Sequence, residues 1–447
     1  MAIKKNMAPI GIIIMILLSL IAYGQPGRNV SWALEKQNWY DAISPEWGGH
    51  VRAQNMISWS DDKSIYSIVG ARTYYDGMGD IRLKNRTFFG GRIYFETHYE
   101  AAISGGDTRR KQKELISVFP FIDARLLQIA EPVNDDRRFM DLTSVINEND
   151  NHVFYHRLDR LLFAFQFERG MVRVGRQALT WGNGLLFNPM DLFNPFAPTD
   201  FIRDYKVGDD MITAQFEAEG VGEFQFLYVP RRDPASSNVE WNNSSLASKF
   251  HVGIGNTEFD IMGARHYKDF VAGFGSTGYL FYSAWRMDLT WTFQDEGSET
   301  DGFISLVANI DYSWIWLEKN FYGFVEFYYS GIGEKEFLKA VEKEDIVQRI
   351  DRGELFTLCR TYLAGEIQAE LHPLLKIYFT VINNLNDGSG TVQPRVVWEV
   401  TSDIQLIVGG NIYYGKTGTE YGGFEIPVLE LMVEPTNNVF MALTYFF

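Results

Sequence analysis

The chain holds one cysteine in 447 residues, Cys359, so no disulfide within it can hold the fold together. Charged residues are scarce, 22%, and they lean acidic: 57 Asp and Glu against 41 Lys and Arg, a formal charge of -16. Such a chain is a poor partner for nucleic acid. Long apolar runs are nearly absent. Only Ile10 to Ala22 forms one, and it is shorter than the ~20 residues that a membrane-crossing helix needs. A bundle of membrane helices is thereby excluded, in line with a mean hydropathy of -0.15. Disorder is excluded from the other side, because 46% of the residues are hydrophobic. What the chain has in plenty is aromatic residues (34 Phe, 23 Tyr, 11 Trp) and 40 glycines. That profile fits a soluble all-β protein or a β-barrel of an outer membrane.

The two termini separate these classes. Lys4 and Lys5 precede the apolar run, and Ala22-Tyr23-Gly24 sets small residues at the -3 and -1 positions of a cleavage site before Gln25. Residues 1–24 therefore read as a secretory signal peptide and residues 25–447 as one exported barrel domain. Residue 25 is not Cys, so no lipid-modified N-terminus is expected. Cleavage would remove two lysines and no acid, leaving the chain more acidic still. At the other end, Val439, Met441, Leu443, Tyr445 and Phe447 share one face at period two. A last strand ending in Phe is similar to the closing strand of bacterial outer-membrane barrels. There the terminal aromatic is a signal to the barrel-assembly machinery, a partner expected here through Phe447.

Between the termini, alternating segments recur. Leu363, Gly365, Ile367, Ala369 and Leu371 oppose Tyr362, Ala364, Glu366, Gln368 and Glu370. Ile212, Ala214, Phe216 and Ala218 oppose Thr213, Gln215, Glu217 and Glu219. Strands are expected near 47–58, 79–89, 92–103, 155–168, 171–178, 209–219, 222–229, 246–254, 258–267, 269–275, 279–293, 302–316, 321–330, 358–371, 374–384, 391–400, 403–413 and 437–447. Alternate connections are very short, such as Gly90-Gly91, Gly220-Val221 and His372-Pro373. The others are mostly long: 59–78, 104–154, 179–208, 230–245, 331–357, 385–390 and 414–436. Short turns alternating with long loops define an antiparallel transmembrane β-barrel with both termini on the turn side. About 18 strands are expected, with 16 as the alternative, the pair around Tyr267-Lys268 being the weakest. In hydrocarbon every backbone amide and carbonyl must be paired, so such a sheet must close.

The most distinctive stretch runs from Val174 to Asp200. It contains Gly175-Arg176-Gln177, Trp181-Gly182-Asn183-Gly184 and Asn188-Pro189-Met190-Asp191-Leu192-Phe193-Asn194-Pro195. Asn-Pro and Gly pairs break strand and helix alike, yet the apolar side chains need cover. A long loop that leaves a strand and folds into the lumen meets both demands, as a constriction or a plug. These motifs, with Asp135-Asp136-Arg137-Arg138 and Asn384 to Gly390, resemble a signature of uncharacterised porin-like outer-membrane β-barrel proteins of Gram-negative bacteria. The resemblance spans most of the exported chain. It implies a barrel in outer-membrane lipid that passes small or hydrophobic solutes. It implies no particular substrate.

Trp181, Asn183, Asn188, Asp191, Asn194, Arg203, Asp204 and Lys206 are the expected constriction and solute path. Arg82, Lys84, Arg86, Glu96, Glu100, Glu217, Glu366, Gln368 and Glu370 are the expected lumen wall. Arg82, Lys84 and Arg86 lie on one face of their strand, opposite Glu96, His98 and Glu100 on the next. They read as a cross-strand charge ladder that stabilises the interior. No cofactor is expected and no metal: His152 and His156 have a spacing that suits a metal only on a helix. Asn147 to Asn151 lacks the spaced acids and Gly of a calcium loop. Glu334 to Glu354 reads as a helix within a loop. The expected function is a porin or passive transporter that filters by size and hydrogen bonding. Rivals on the same fold are a surface adhesin or assembly barrel, a barrel passing hydrophobic solutes, and a lipid hydrolase. No Gly-x-Ser-x-Gly elbow is present, so an enzyme is not expected. The sequence leaves the oligomeric state open.

Overall fold

The structure is a computed structural model. It describes residues 43–447 except 71, 120–133, 194, 196, 203–204, 296–297, 299 and 427–429. The expected signal peptide and the expected path residues Asn194, Arg203 and Asp204 lie outside the described residues.

Eighteen antiparallel strands form a closed barrel. They are Ile43–Trp59, Thr73–Phe89, Ile93–Gly106, His152–Phe167, Gly170–Gln177, Asp209–Ala218, Gly222–Val229, Ser245–Ile254, Thr257–His266, Asp269–Leu280, Ser283–Phe293, Gly302–Trp316, Lys319–Ser330, Thr361–His372, Leu375–Asn384, Gly390–Glu399, Ile404–Tyr414 and Asn437–Phe446. Each pairs with its sequence neighbour, and the first pairs with the last from His50 opposite Phe446 to Trp59 opposite Asn437. Among the described residues the barrel wall itself has no open edge, as a bilayer demands.

Period-two alternation sorts the side chains by medium. Ile57, Ile81, Ile261, Val325, Ile367 and Leu443 are exposed on the outside. Asp80, Arg82, Asp288, Asn309, Glu326 and Thr380 are buried within. This inverts a soluble protein and fits an apolar belt in lipid around a polar interior. Aromatic stacks lie on the belt. Trp314 meets Phe321 with centroids 5.5 Å apart, and Trp291 meets Phe293 at 5.1 Å.

The pair around Tyr267-Lys268 is two strands joined by a tight link. Tyr267 holds a φ of 53° there, a conformation that is costly for a bulky residue. Its buried ring lies between the guanidinium groups of Arg231 and Arg352, at 5.0 and 4.2 Å.

Three expectations need correction. The turn placed at 276–278 lies instead at Phe281-Tyr282, and Gly275 and Gly278 sit within a strand. Glycine is there for proximity, not for a turn: a Cβ on Gly275 would come within 2.8 Å of Asn183 Nδ2 and Asp288 Oδ1. The helix expected over 334–354 is two short ones, Phe337–Glu342 and Glu344–Asp351. The loop 104–154 contains a helix, Asp107–Val118, and a short strand, Thr143–Glu148. Asp76 starts that helix by accepting bonds from the Thr108 amide at 3.0 Å and hydroxyl at 2.5 Å. Only Leu115 of the helix is buried, in a cluster with Ile65, Tyr66, Val69, Tyr74 and Val433.

The seam carries a test. Gly49 and Phe447 exchange backbone hydrogen bonds of 2.8 and 3.1 Å. A Cβ on Gly49 would meet the Arg82 carbonyl at 2.1 Å and the Phe447 ring at 2.7 Å. Gly49→Leu is expected to prevent closure and remove the fast-migrating folded band of unheated protein on an SDS gel. Gly253→Leu, where nothing lies within 4 Å, is expected to keep that band.

The loop ring and its anchors on the inner wall

From Gln177 the chain turns inward. Arg176 fixes the departure point by bonding Asp210 at 2.9 Å, Asp135 at 3.0 Å and the Met140 carbonyl at 2.6 Å. The buried Trp181 ring meets Phe193 edge-on at 5.5 Å, and its Nε1 donates to Gln225 at 2.6 Å. Met190, Met211, Leu227, Ala247 and Met262 complete an apolar cluster against this sector of the wall. Asn183 reaches Asp288 with its amide at 2.6 Å and its Nδ2 at 2.7 Å. The three successive amides of Leu185, Leu186 and Phe187 all donate to the Glu326 carboxylate, at 2.6, 2.9 and 2.8 Å. Asn309 adds a fourth donor at 2.9 Å. A buried carboxylate costs several kcal/mol unless it is saturated with partners; this one is, and the loop supplies most of them. Phe187 then stacks on Tyr328, 4.5 Å between centroids and 5° between planes.

The return limb meets a row of arginines. Arg395 lies over the Phe201 ring at 4.1 Å. Arg52 donates to the Ile202 carbonyl at 2.9 Å. Arg82 lies over the Tyr205 ring at 3.6 Å, while the Tyr205 hydroxyl donates to Glu100 at 2.6 Å. Arg160 donates to the Lys206 carbonyl at 2.6 Å, and the Gly208 amide donates to Asp159 at 3.1 Å. These anchors sit on strands all around the barrel: the chain passes from Gln225 to Asp288 and Glu326, doubles back at Met190 and Phe193 to the apolar cluster, and then meets Arg395, Arg52, Arg82 and Arg160 in turn. Together they encircle the inner wall. Asp191, near the middle of the loop, and Lys206, near its end, are paired and join the two limbs.

Of the expected path residues, Trp181, Asn183, Asp191 and Lys206 are ring anchors, and Asn188 borders a small cavity with Asp191 and Thr357. The expected ladder forms, with Arg82 opposite Glu100, Lys84 opposite His98 and Arg86 opposite Glu96, across a three-residue link, Gly90 to Arg92, instead of the two-residue turn expected at Gly90-Gly91. Arg82 bonds Glu100 at 2.9 Å and Arg86 bonds Glu96 at 2.8 Å. Glu366 accepts from Thr380 at 2.6 Å and Arg395 at 3.4 Å. Gln368 and Glu370 lie on the same inner face, nearer the short turns. Glu217 faces inward at the turn end, opposite Glu223, away from the ring.

Several anchors escaped the sequence reading: Arg52, Asp80, Arg157, Asp159, Arg160, Asp288, Glu326 and Arg395. Arg157 bonds Glu100 at 2.9 Å, and Asp80 joins His50 at 2.8 Å to Arg52 at 2.9 Å. A charge on the polar face of an alternating strand was the available signal, notably Glu326 between Phe324 and Tyr328.

The arrangement defines a class: a closed 18-stranded antiparallel β-barrel with one long loop folded against its inner wall, the fold of outer-membrane porins. No protein-family model matches the sequence, and no curated protein matches it either. Among solved structures, the chain is similar to OccAB1 of Acinetobacter baumannii, with 10% identity, 90% of this chain and 96% of that one covered, and a TM-score of 0.51. A BenF-like porin from Pseudomonas fluorescens Pf-5 gives 8% identity, 90% and 98% coverage, and a TM-score of 0.51. OccK5 (OpdH) of Pseudomonas aeruginosa gives 7% identity, 90% and 98% coverage, and a TM-score of 0.50. At such identities the likeness establishes the fold.

Two outcomes follow from the anchors. Glu326→Ala leaves three loop amides without an acceptor and is expected to destabilise the ring by about 3 kcal/mol. Protease cleavage within 181–193 should then appear while the barrel keeps its folded gel mobility. Burial holds the Asp191 carboxyl up to about 7, against the pull of Lys206. Its folded pKa exceeds the unfolded one, so its contribution is full below about 4 and is lost as pH rises through about 7. Hydrogen exchange in 179–193 should therefore quicken from pH 5 to pH 8 beyond the intrinsic rate, and Asp191→Asn should remove that excess.

Proposed function

We propose that this chain is a porin or passive transporter of the bacterial outer membrane, exported with removal of residues 1–24. Small solutes cross the polar lumen through the aperture left by loop 179–208. The single observation that carries this reading is the circuit of the loop around the inner wall. A loop that only braced one sector would not need anchors on strands all around the barrel. Filtering then acts through aperture size and the hydrogen-bonding groups that the loop leaves facing the path. The chemistry is passage, not turnover: the carboxylates and guanidinium groups of the ring are held by one another and by backbone groups. Phe447, at the end of the closing strand, is the signal for assembly into the membrane.

Conductance of purified protein in a planar lipid bilayer tests this. Discrete steps are expected, and deletion of residues 179–208 should enlarge them severalfold, since conductance scales with the open cross-section. A folded protein that conducts neither with the loop nor without it would overturn the pore and favour an adhesin role.

A further inference from the structure

Above the ring, on the long-loop side, lies a cavity of about 570 Å³. Its walls come from the helices Asp107–Val118, Phe337–Glu342 and Glu344–Asp351, from Glu420 to Phe424 and from Val433 to Thr436. They are largely apolar, with Phe337, Val341, Ile350 and Phe424 among them. Apolar surface facing water costs on the order of 25 cal/mol per Å², and exposed apolar surface of this kind marks a binding site. The volume lies in the range of small-molecule pockets, roughly 300–1,000 Å³.

The charges on the walls have one sign. Asp351, Glu420 and Glu434 border the cavity, and no Lys, Arg or His does among the described residues. Asp351 is paired with Arg137 at 3.3 Å. Among the described residues the other two carboxylates have only neutral partners. Glu420 accepts from the Leu358 amide at 2.8 Å, the Tyr362 hydroxyl at 2.6 Å and Asn384 at 2.8 Å. Glu434 accepts from the Asp61 amide at 3.3 Å. Tyrosine rings stand beside them: Tyr413 and Tyr421 are stacked, 6.2 Å between centroids. An electron-rich ring face attracts an ammonium group, and more so when it is desolvated. This contrasts with the ring below, where Arg52, Arg82, Arg160 and Arg395 occupy the wall and each has a partner.

Building on the pore reading, we propose that the cavity is a binding site for amphipathic organic cations: an aromatic or alkyl body against Phe337, Val341 and Phe424, and one ammonium group toward Glu420 and Glu434. The solute would be gathered at the mouth before it meets the ring. An organic anion of the same size finds the same apolar walls but two carboxylates and no basic partner.

The test uses the full barrel in detergent and isothermal titration with three compounds of one size: 2-phenylethylammonium, 2-phenylethanol and phenylacetate. The ammonium compound is expected to bind at least about tenfold more tightly than the alcohol, and phenylacetate more weakly still. Glu420→Gln should weaken ammonium binding by about tenfold and leave the alcohol unchanged. If that variant loses the folded gel mobility, Glu434→Gln gives the same reading. Equal binding of all three, preference for phenylacetate, or no binding by folded protein would overturn the proposal. Binding is read without current, so its failure is distinct from absence of conductance.

Discussion

A strand in hydrocarbon has no water to satisfy its amides and carbonyls, and the rest of this structure depends on that constraint. It forces the sheet to close, with the first strand against the last. Closure puts alternate side chains in two media and turns ordinary burial inside out. With its one cysteine buried and free, the chain has no covalent staple. The hydrogen-bond ladder must carry the wall by itself.

Closure also creates a second problem, and the ring answers it. A barrel this wide cannot fill its interior with wall side chains alone. Charges that point inward are removed from bulk water yet need partners. Here the partners come from one another and from the loop. Glu326 takes three loop amides, Asp288 an amide and a side chain, and Glu100 a tyrosine hydroxyl beside two arginines. The loop in turn is too rich in Pro, Asn and Gly to satisfy its own backbone by helix or sheet. Wall and loop each complete what the other lacks. In one apolar sector the same fit is made by Trp181, Met190 and Met262 instead.

The strands were legible because a period of two is a direct record of two media, and because short turns recur on one side. The residue types of the ladder were legible for the same reason, but its register was not: a two-residue turn at Gly90-Gly91 would set Arg82 opposite Tyr99, whereas the link runs from Gly90 to Arg92 and sets Arg82 opposite Glu100. What escaped was anything set by approach between distant segments. Gly273, Gly275 and Gly278 look like a turn; Gly275 is where the ring comes against the wall. The helix Asp107–Val118 is almost wholly charged and polar and is started by Asp76 of another strand, so its own sequence carries little amphipathic signal. The circuit of the loop was not legible at all. Pro-rich and Asn-rich chain has no periodicity, and its path is dictated by carboxylates on strands far along the sequence.

The same geometry bears on how the aperture behaves and on what the net charge of -16 means. A ring tied at Asp288, Glu326, Glu100 and Asp159 can move as a unit only by breaking several bonds to charged groups together. Each is worth about 2 kcal/mol, so displacement of the whole ring is disfavoured. A fixed ring fits this better than a swinging lid. The acids that hold it are already committed to amides and guanidinium groups, so they add less field to the path than their number suggests. Charge discrimination then rests on groups without a counter-charge. Glu326 in the ring, held by amides and Asn309, is one such group, and Glu420 and Glu434 above it, where the walls turn from charged to apolar, are two more.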